Sequence, residues 1–192
     1  MSGRSSFKCV LLGIAAMVLV FAPSQAQTCS GILILASADD STGPGQNFGG
    51  TYLDTQSSND VGQAFNETLS NGVSRLYHAW RFDNVPAGAI HLIREGYRLA
   101  SGDGDDFRFR AYYDDGTGPY FIFGNFCPIT SETESSAKCS FNEVTTTGAT
   151  FWVTMQDTNQ TSGTDLSAVR IDYLALCVEA VECVPPPGGF CP

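Results

Sequence analysis

The chain has 192 residues, 20 of them acidic and 10 basic, and 43 % of it is hydrophobic. Its net charge of −10 repels phosphate backbones and anionic headgroups, which argues against nucleic acid and membrane surfaces as partners. The chemistry it suits is that of divalent cations and neutral partners, and its length is that of one ordinary domain with a full core.

The N-terminus reads as a secretory signal over residues 1–26. Arg4 and Lys8 precede an apolar run at 9–21, and Ser24-Gln25-Ala26 offers the small residues that a signal peptidase needs. Cleavage there makes Gln27 the first mature residue and removes two basic side chains. The mature balance is then eight basic against twenty acidic residues, a net −12. The run is too short and wrongly flanked to stay as a transmembrane helix, and no later segment is apolar enough to span a bilayer. The chain is expected to be secreted. Cys29 is read as a structural cysteine rather than a lipid anchor, because Thr28 stands where an anchor motif has a small residue.

Residues 31–37 (GILILAS) form a short apolar run suited to a buried first strand, and 39–50 read as a loop on composition. An extended stretch at 51–54 and a turn at 57–60 lead to 61–69, which fits either a strand or one helical turn. Period-two patterning then predicts three consecutive strands at 76–83, 89–99 and 106–113, read as a meander. Asp114-Asp115-Gly116-Thr117-Gly118-Pro119 is a hairpin signal leading into an aromatic strand at 120–126. After a polar loop at 131–137, strands are expected at 139–144 and 149–156, and a loop at 157–165 precedes a last strand at 166–178. Such spacing gives an all-β fold, an antiparallel β-sandwich of jelly-roll type over 27–179. The tail 180–192 is too rich in proline and glycine for a regular element and is ordered only by a disulfide.

Cys9 leaves with the signal, and six cysteines remain in an exported chain, an even number that reads as three disulfides. Strand order favours Cys127 with Cys139, Cys183 with Cys191, and Cys29 with Cys177. Zinc is excluded by the lack of any CxxC pair and by two histidines set in mid-strand.

The stretches AWRFDNVPAGA, GDGDDFRFRAYYDDG and DLSAVRIDYLAL resemble galactose-binding-type jelly rolls, the fold of many carbohydrate-binding modules. The VPAGA and GDxDxF elements are also similar to the β-sandwich appendages of secreted bacterial peptidases. The resemblance spans roughly residues 50–178 and consists of turn-and-strand patterns, so it implies a fold and a class of partner rather than particular binding residues.

Three constellations carry chemistry. Asp103, Asp105 and Asp106 cluster in one turn, Asp157 and Asp165 in another, and they offer hard oxygen ligands for a structural calcium ion; the alternative is that they simply build turns. Trp152 faces outward with Thr150 and Thr154, and with Tyr112 it offers a surface on which a sugar ring can stack, while Arg108 and Arg110 offer donors to a ligand. Arg94, Arg98, Arg108 and Arg110 are expected side by side on one sheet face. Glu95, on an apparently apolar face, is expected to pair with Arg81 or His78; it is a catalytic acid only if a second group converges on it. No GxSxG, HExxH, P-loop or dinucleotide fingerprint is present. The expectation is a secreted, non-catalytic module that binds a glycan or another extracellular surface. The alternative is a structural or assembly protein of a cell surface or matrix.

Overall fold

A computed structural model describes residues 28–40, 43–100, 105–114, 116, 119–122, 127–145, 148–159 and 165–181. The expected signal, the proposed Cys183–Cys191 bridge, Asp103 and residues 123–126 lie outside them. Among the described residues thirteen strands run in order: β1 Ile32–Leu35, β2 Ala38–Asp40, β3 Gln46–Gly49, β4 Gln63–Asn66, β5 Thr68–Ser70, β6 Val73–Arg75 and β7 Tyr77–Val85. They continue as β8 Gly88–Ala100, β9 Phe107–Asp114, β10 Pro119–Ile122, β11 Ser135–Thr145, β12 Ala149–Asp157 and β13 Ala168–Glu179. No α-helix interrupts them among the described residues, only a 3-10 turn at Tyr52–Gln56.

The strands form two antiparallel sheets packed face to face. The first has the order β11-β8-β13-β4-β3, with β1 sharing the free edge of β13 beside β4. The second has the order β10-β9-β12-β7-β2. A small β5–β6 hairpin stands apart. Alternation fixes which side chains go between the sheets. Trp80, Phe82, Phe107, Phe109, Phe151, Val153 and Met155 come from the second sheet, and Ile90, Leu92, Leu174, Leu176 and Val178 from the first. The result is an antiparallel β-sandwich of jelly-roll type.

The three central strands form within two residues of the expected limits but do not make a meander. β7 and β9 belong to the second sheet and β8 to the first, so the chain crosses the sandwich at each connection. The turn after β7 makes the first crossing, with Asn84 at φ 56 and Gly88 at φ 156, and it aims β8 at the opposite layer. The strands β11 and β12 likewise part into different sheets. Residues 61–69 resolve into β4 and β5, residues 52–56 into the 3-10 turn, and the expected loop 39–50 contains β2 and β3.

β1 also departs from expectation. It is an edge strand, with Ile32 56 % and Leu33 45 % exposed; only Ile34 packs against the core. An apolar run reads the same whether its strand lies in the middle of a sheet or at its edge. After β1 the chain passes Ala36 and Ser37 and joins the other sheet as β2, where the Ser37 amide donates to the Arg81 carbonyl at 2.7 Å.

Two of the three expected disulfides lie in described residues, and both are formed: Cys29–Cys177 and Cys127–Cys139. The first ties the chain entering β1 to the last strand; the second closes the segment between β10 and β11. Gly62 marks a tight approach of backbones, since a Cβ there would come within 2.3 Å of the Ile171 carbonyl oxygen and of Asp172 Oδ1.

Candidate functional site

The outer face of the second sheet is polar and aromatic, and strand register sets its layout. Opposed residues line up in rows across β9, β12 and β7. Arg108, Gln156 and Tyr77 make one row, and Arg110, Thr154 and Ala79 the next, which Asp40 of β2 extends. Tyr112, Trp152 and Arg81 form the third, and Asp114 faces Thr150 in the fourth. All four residues proposed from sequence for ligand contact, Trp152, Tyr112, Arg108 and Arg110, therefore share one face. Period-two alternation made this legible, because each has its inward neighbours in the core.

In the third row the rings of Tyr112 and Trp152 are stacked, with centroids 5.7 Å apart and planes 12° from parallel. From the opposite strand the Arg81 guanidinium lies over the indole, 5.8 Å from its centroid, and pairs with Asp83 at 3.1 Å. Asp83 also accepts a hydrogen bond from Ser37 Oγ at 2.7 Å. Beside this row lies an open depression of about 520 Å³, lined by Arg81, Asp83, Asp114, Thr150 and Trp152 and closed at the turn end by Gly116 and Gly148. Gly148, at φ +83, turns the chain while its amide donates to the Val85 carbonyl at 3.0 Å. Arg81 and Asp83 were not recognised as part of this face from sequence. Their positions on β7 mark them as outward, but the pairing of β7 with β12 was not readable.

Burial raises the Tyr112 phenol above its ordinary range, with Tyr77 and Asp40 adding to the shift. Tyr77 is raised as well, by burial first and Asp40 second. Both hydroxyls stay protonated and can donate at neutral pH.

The four arginines expected on one sheet face are divided. Arg108 and Arg110 stand on the second sheet, Arg94 and Arg98 on the first. The buried Arg94 donates to the Ser135 carbonyl and Ser135 Oγ, each at 2.9 Å, and to the Pro128 carbonyl, and desolvation lowers its pKa to about 10. Arg98 pairs with Asp106 at 3.1 Å.

A second constellation lies at one end of the sandwich. Glu67, Asp105 and Asp157 are all buried and present carboxylate oxygens within 4.8 Å of one another. Asp157 Oδ1 accepts from the Leu76 amide at 3.2 Å, whereas its buried Oδ2 has no hydrogen-bond partner. Desolvation raises the Asp157 pKa. Three hard oxygen donors, one of them a buried and unpartnered carboxylate oxygen, make this cluster a candidate cation site.

The two acidic loops named from sequence thus each contribute one residue to this cluster. The Thr158 amide donates to the Asp106 carbonyl at 2.9 Å and draws them together. Of the residues named from sequence, Asp105 and Asp157 stand in this trio, Asp106 pairs with Arg98, Asp165 is exposed, and Asp103 lies outside the described residues. Glu67 was missed because it follows β4, far in sequence from both acidic loops, and is positioned by the Ser167 amide, which donates to Glu67 Oε2 at 2.8 Å from a hundred residues away.

Glu95 is buried, but not with Arg81 or His78, which belong to the other sheet. It faces out from the first sheet opposite Tyr173 and accepts a hydrogen bond from Ser58 Oγ on the segment crossing above. Around it lie Asp172, which Arg170 Nε contacts at 2.9 Å, and Glu134, which hydrogen-bonds Asp172 and is raised to about 7 by burial and by the charges of Glu95 and Asp172.

No family model matches the chain, and no curated protein matches it. Solved structures do. A structure of TmCBM61 in complex with β-1,4-galactotriose is 12 % identical, covers 76 % of this chain and 91 % of its own, and gives a TM-score of 0.42. The CBM22-1 xylan-binding domain from Paenibacillus barcinonensis Xyn10C is 8 % identical, with coverages of 78 % and 94 % and a TM-score of 0.47. A xylan-binding module CBM15 is 14 % identical, with coverages of 78 % and 98 % and a TM-score of 0.45. These are similar sandwiches, and the similarity to secreted peptidase appendages gains no support from them. At such identities and scores the function has to be read from this chain's own residues.

Proposed function

We propose that the chain is an exported, non-catalytic module that binds a neutral glycan on the outer face of the second sheet. The carrying observation is the row Tyr112–Trp152–Arg81 beside an open depression lined by Asp83, Asp114 and Thr150. Aromatic surface beside carboxylate acceptors, guanidinium donors and a hydroxyl is what a ring with an apolar face and equatorial hydroxyls requires. Two carboxylates at the depression and a net charge of −10 on the chain disfavour an acidic ligand. Export is supported by the leader pattern and by two disulfides, which persist in oxidising compartments. No helix among the described residues is long and apolar enough to cross a membrane.

A glycan array run on the intact protein tests the reading. Binding to neutral oligosaccharides, weakened at least tenfold by Trp152→Ala with the fold retained, is the expected result, tenfold being about 1.4 kcal/mol. Silence across the array removes it. Calcium at Glu67, Asp105 and Asp157 belongs to the same proposal as a structural ion: melting should rise by several degrees in millimolar calcium over chelator, and Asp157→Asn should abolish the rise.

One observation favours a second reading, an assembly protein of a cell surface or matrix. The apolar edge strand β1 leaves Ile32 and Leu33 exposed, and exposed edges invite pairing with another chain. Light scattering after size exclusion separates the two, since a strict monomer at high concentration argues for the binding module.

A further inference from the structure

Resting on the glycan reading of this face, we infer that Arg81 is a specificity-determining lid on Trp152, and that a neutral pyranose binds by taking the guanidinium's place against the indole. Trp152 lies on the middle strand of its row. Tyr112 on β9 covers one face of the indole by stacking, and Arg81 on β7 covers the other. With both faces occupied, a sugar meets only the edge of the ring. Stacking therefore requires one neighbour to leave.

The two neighbours are held differently. The Tyr112 ring is partly buried and lies nearly parallel against the indole, as part of the sheet surface. Arg81 has one side-chain ion pair, to Asp83, in which the two side chains are 40 % and 35 % exposed, and its Nε has no hydrogen-bond partner. When the guanidinium swings away, Asp83 keeps the hydrogen bond from Ser37 Oγ, so no carboxylate is left bare. The departing side chain also has somewhere to go, because it lines the open depression. Arg81 is the neighbour that moves.

The lid makes the site selective. A ring with a broad apolar face recovers on the indole what the guanidinium gives up. An acidic sugar gains less, because its carboxylate meets Asp83 and Asp114 at the same depression. An exposed cation–π contact and an exposed ion pair each bias the closed state by a factor of about two to five, so the open form is roughly a tenth of the population. Apparent affinity scales with that open fraction, and removing the lid should tighten binding by up to about tenfold.

The test uses the chain's own fluorescence and two neutral probes, β-1,4-galactotriose and xylopentaose. Of the two tryptophans, Trp80 is fully buried and Trp152 is not, so acrylamide reports on Trp152. Without any ligand, Arg81→Ala should raise the quenching of Trp152 about twofold or more, with Asp83→Asn intermediate. The same variants should bind whichever probe the native protein binds more tightly, Arg81→Ala by the larger factor. Unchanged quenching in Arg81→Ala overturns the lid whatever the probes do. Increased quenching with weaker probe binding makes Arg81 a direct ligand contact and overturns the assignment. Increased quenching with no binding of either probe to any form leaves a movable guanidinium but removes the pyranose as its competitor, and with it the proposal.

Discussion

His78 gives the stability of this sandwich a defined acid response. Its imidazole is 2 % exposed, wedged between Phe65 and Trp80 at centroid distances of 4.3 and 4.5 Å. Burial pushes its pKa from 6.5 down to about 4, against the opposing pull of Asp39 and Asp40. The folded protein thus resists a proton that the unfolded chain accepts. The contribution is fully present above pH 6.5 and is lost as the pH falls towards 4. At pH 5 the loss reaches about 2 kcal/mol, from the difference between the two binding curves. For a domain of this size that is a fall in Tm of roughly 4–8 °C between pH 7 and pH 5. His78→Phe keeps a ring among Phe65 and Trp80 and removes the titration. Melting curves of the native protein and the variant, recorded at half-unit steps, should converge as the pH is lowered, because only the native chain loses this term. Parallel curves would refute a buried neutral imidazole.

Glu134 has the opposite sign. With its pKa raised to about 7, its hydrogen bond to Asp172 stabilises fully below about pH 4.5 and is lost as the pH rises through 7, so Glu134→Gln should flatten the neutral limb of the Tm profile. Replacing Cys127 and Cys139 by serine should cost about 3 kcal/mol in denaturant unfolding. Replacing Cys29 and Cys177 should cost more, up to about 5 kcal/mol, because that bridge spans 148 residues rather than 12; the reverse ranking would point to structure retained in the unfolded chain. Trp80→Phe leaves the buried Gln63 Oε1 without its indole donor and should cost about 1–3 kcal/mol with glycan binding unchanged.

Strand positions were legible where one face is buried. β7, β8, β9 and β13 carry their core residues at every second position, and their expected limits fall within about two residues of those found. Sheet membership was not legible, because alternation says which face of a strand is wet but not which strand lies beside it. That gap produced both main errors: the false meander and the pairing of Glu95 with residues of the other sheet. It also hid Glu67 and Arg81, whose partners are set by register. The outward set of Trp152, Tyr112, Arg108 and Arg110 was recoverable because it depends on parity alone.

The Cys29–Cys177 bridge has a consequence for how the module is held. Cys177 alternates with the core residues Leu176 and Val178, so its sulfur points out of the first sheet, away from the second. Thr28 precedes that bridge by one residue, and β13 ends at Glu179, two residues beyond it. Both residues therefore belong with the first sheet, while the aromatic row lies on the outer face of the second. A partner or surface held against the first sheet's side would leave the row clear for a ligand.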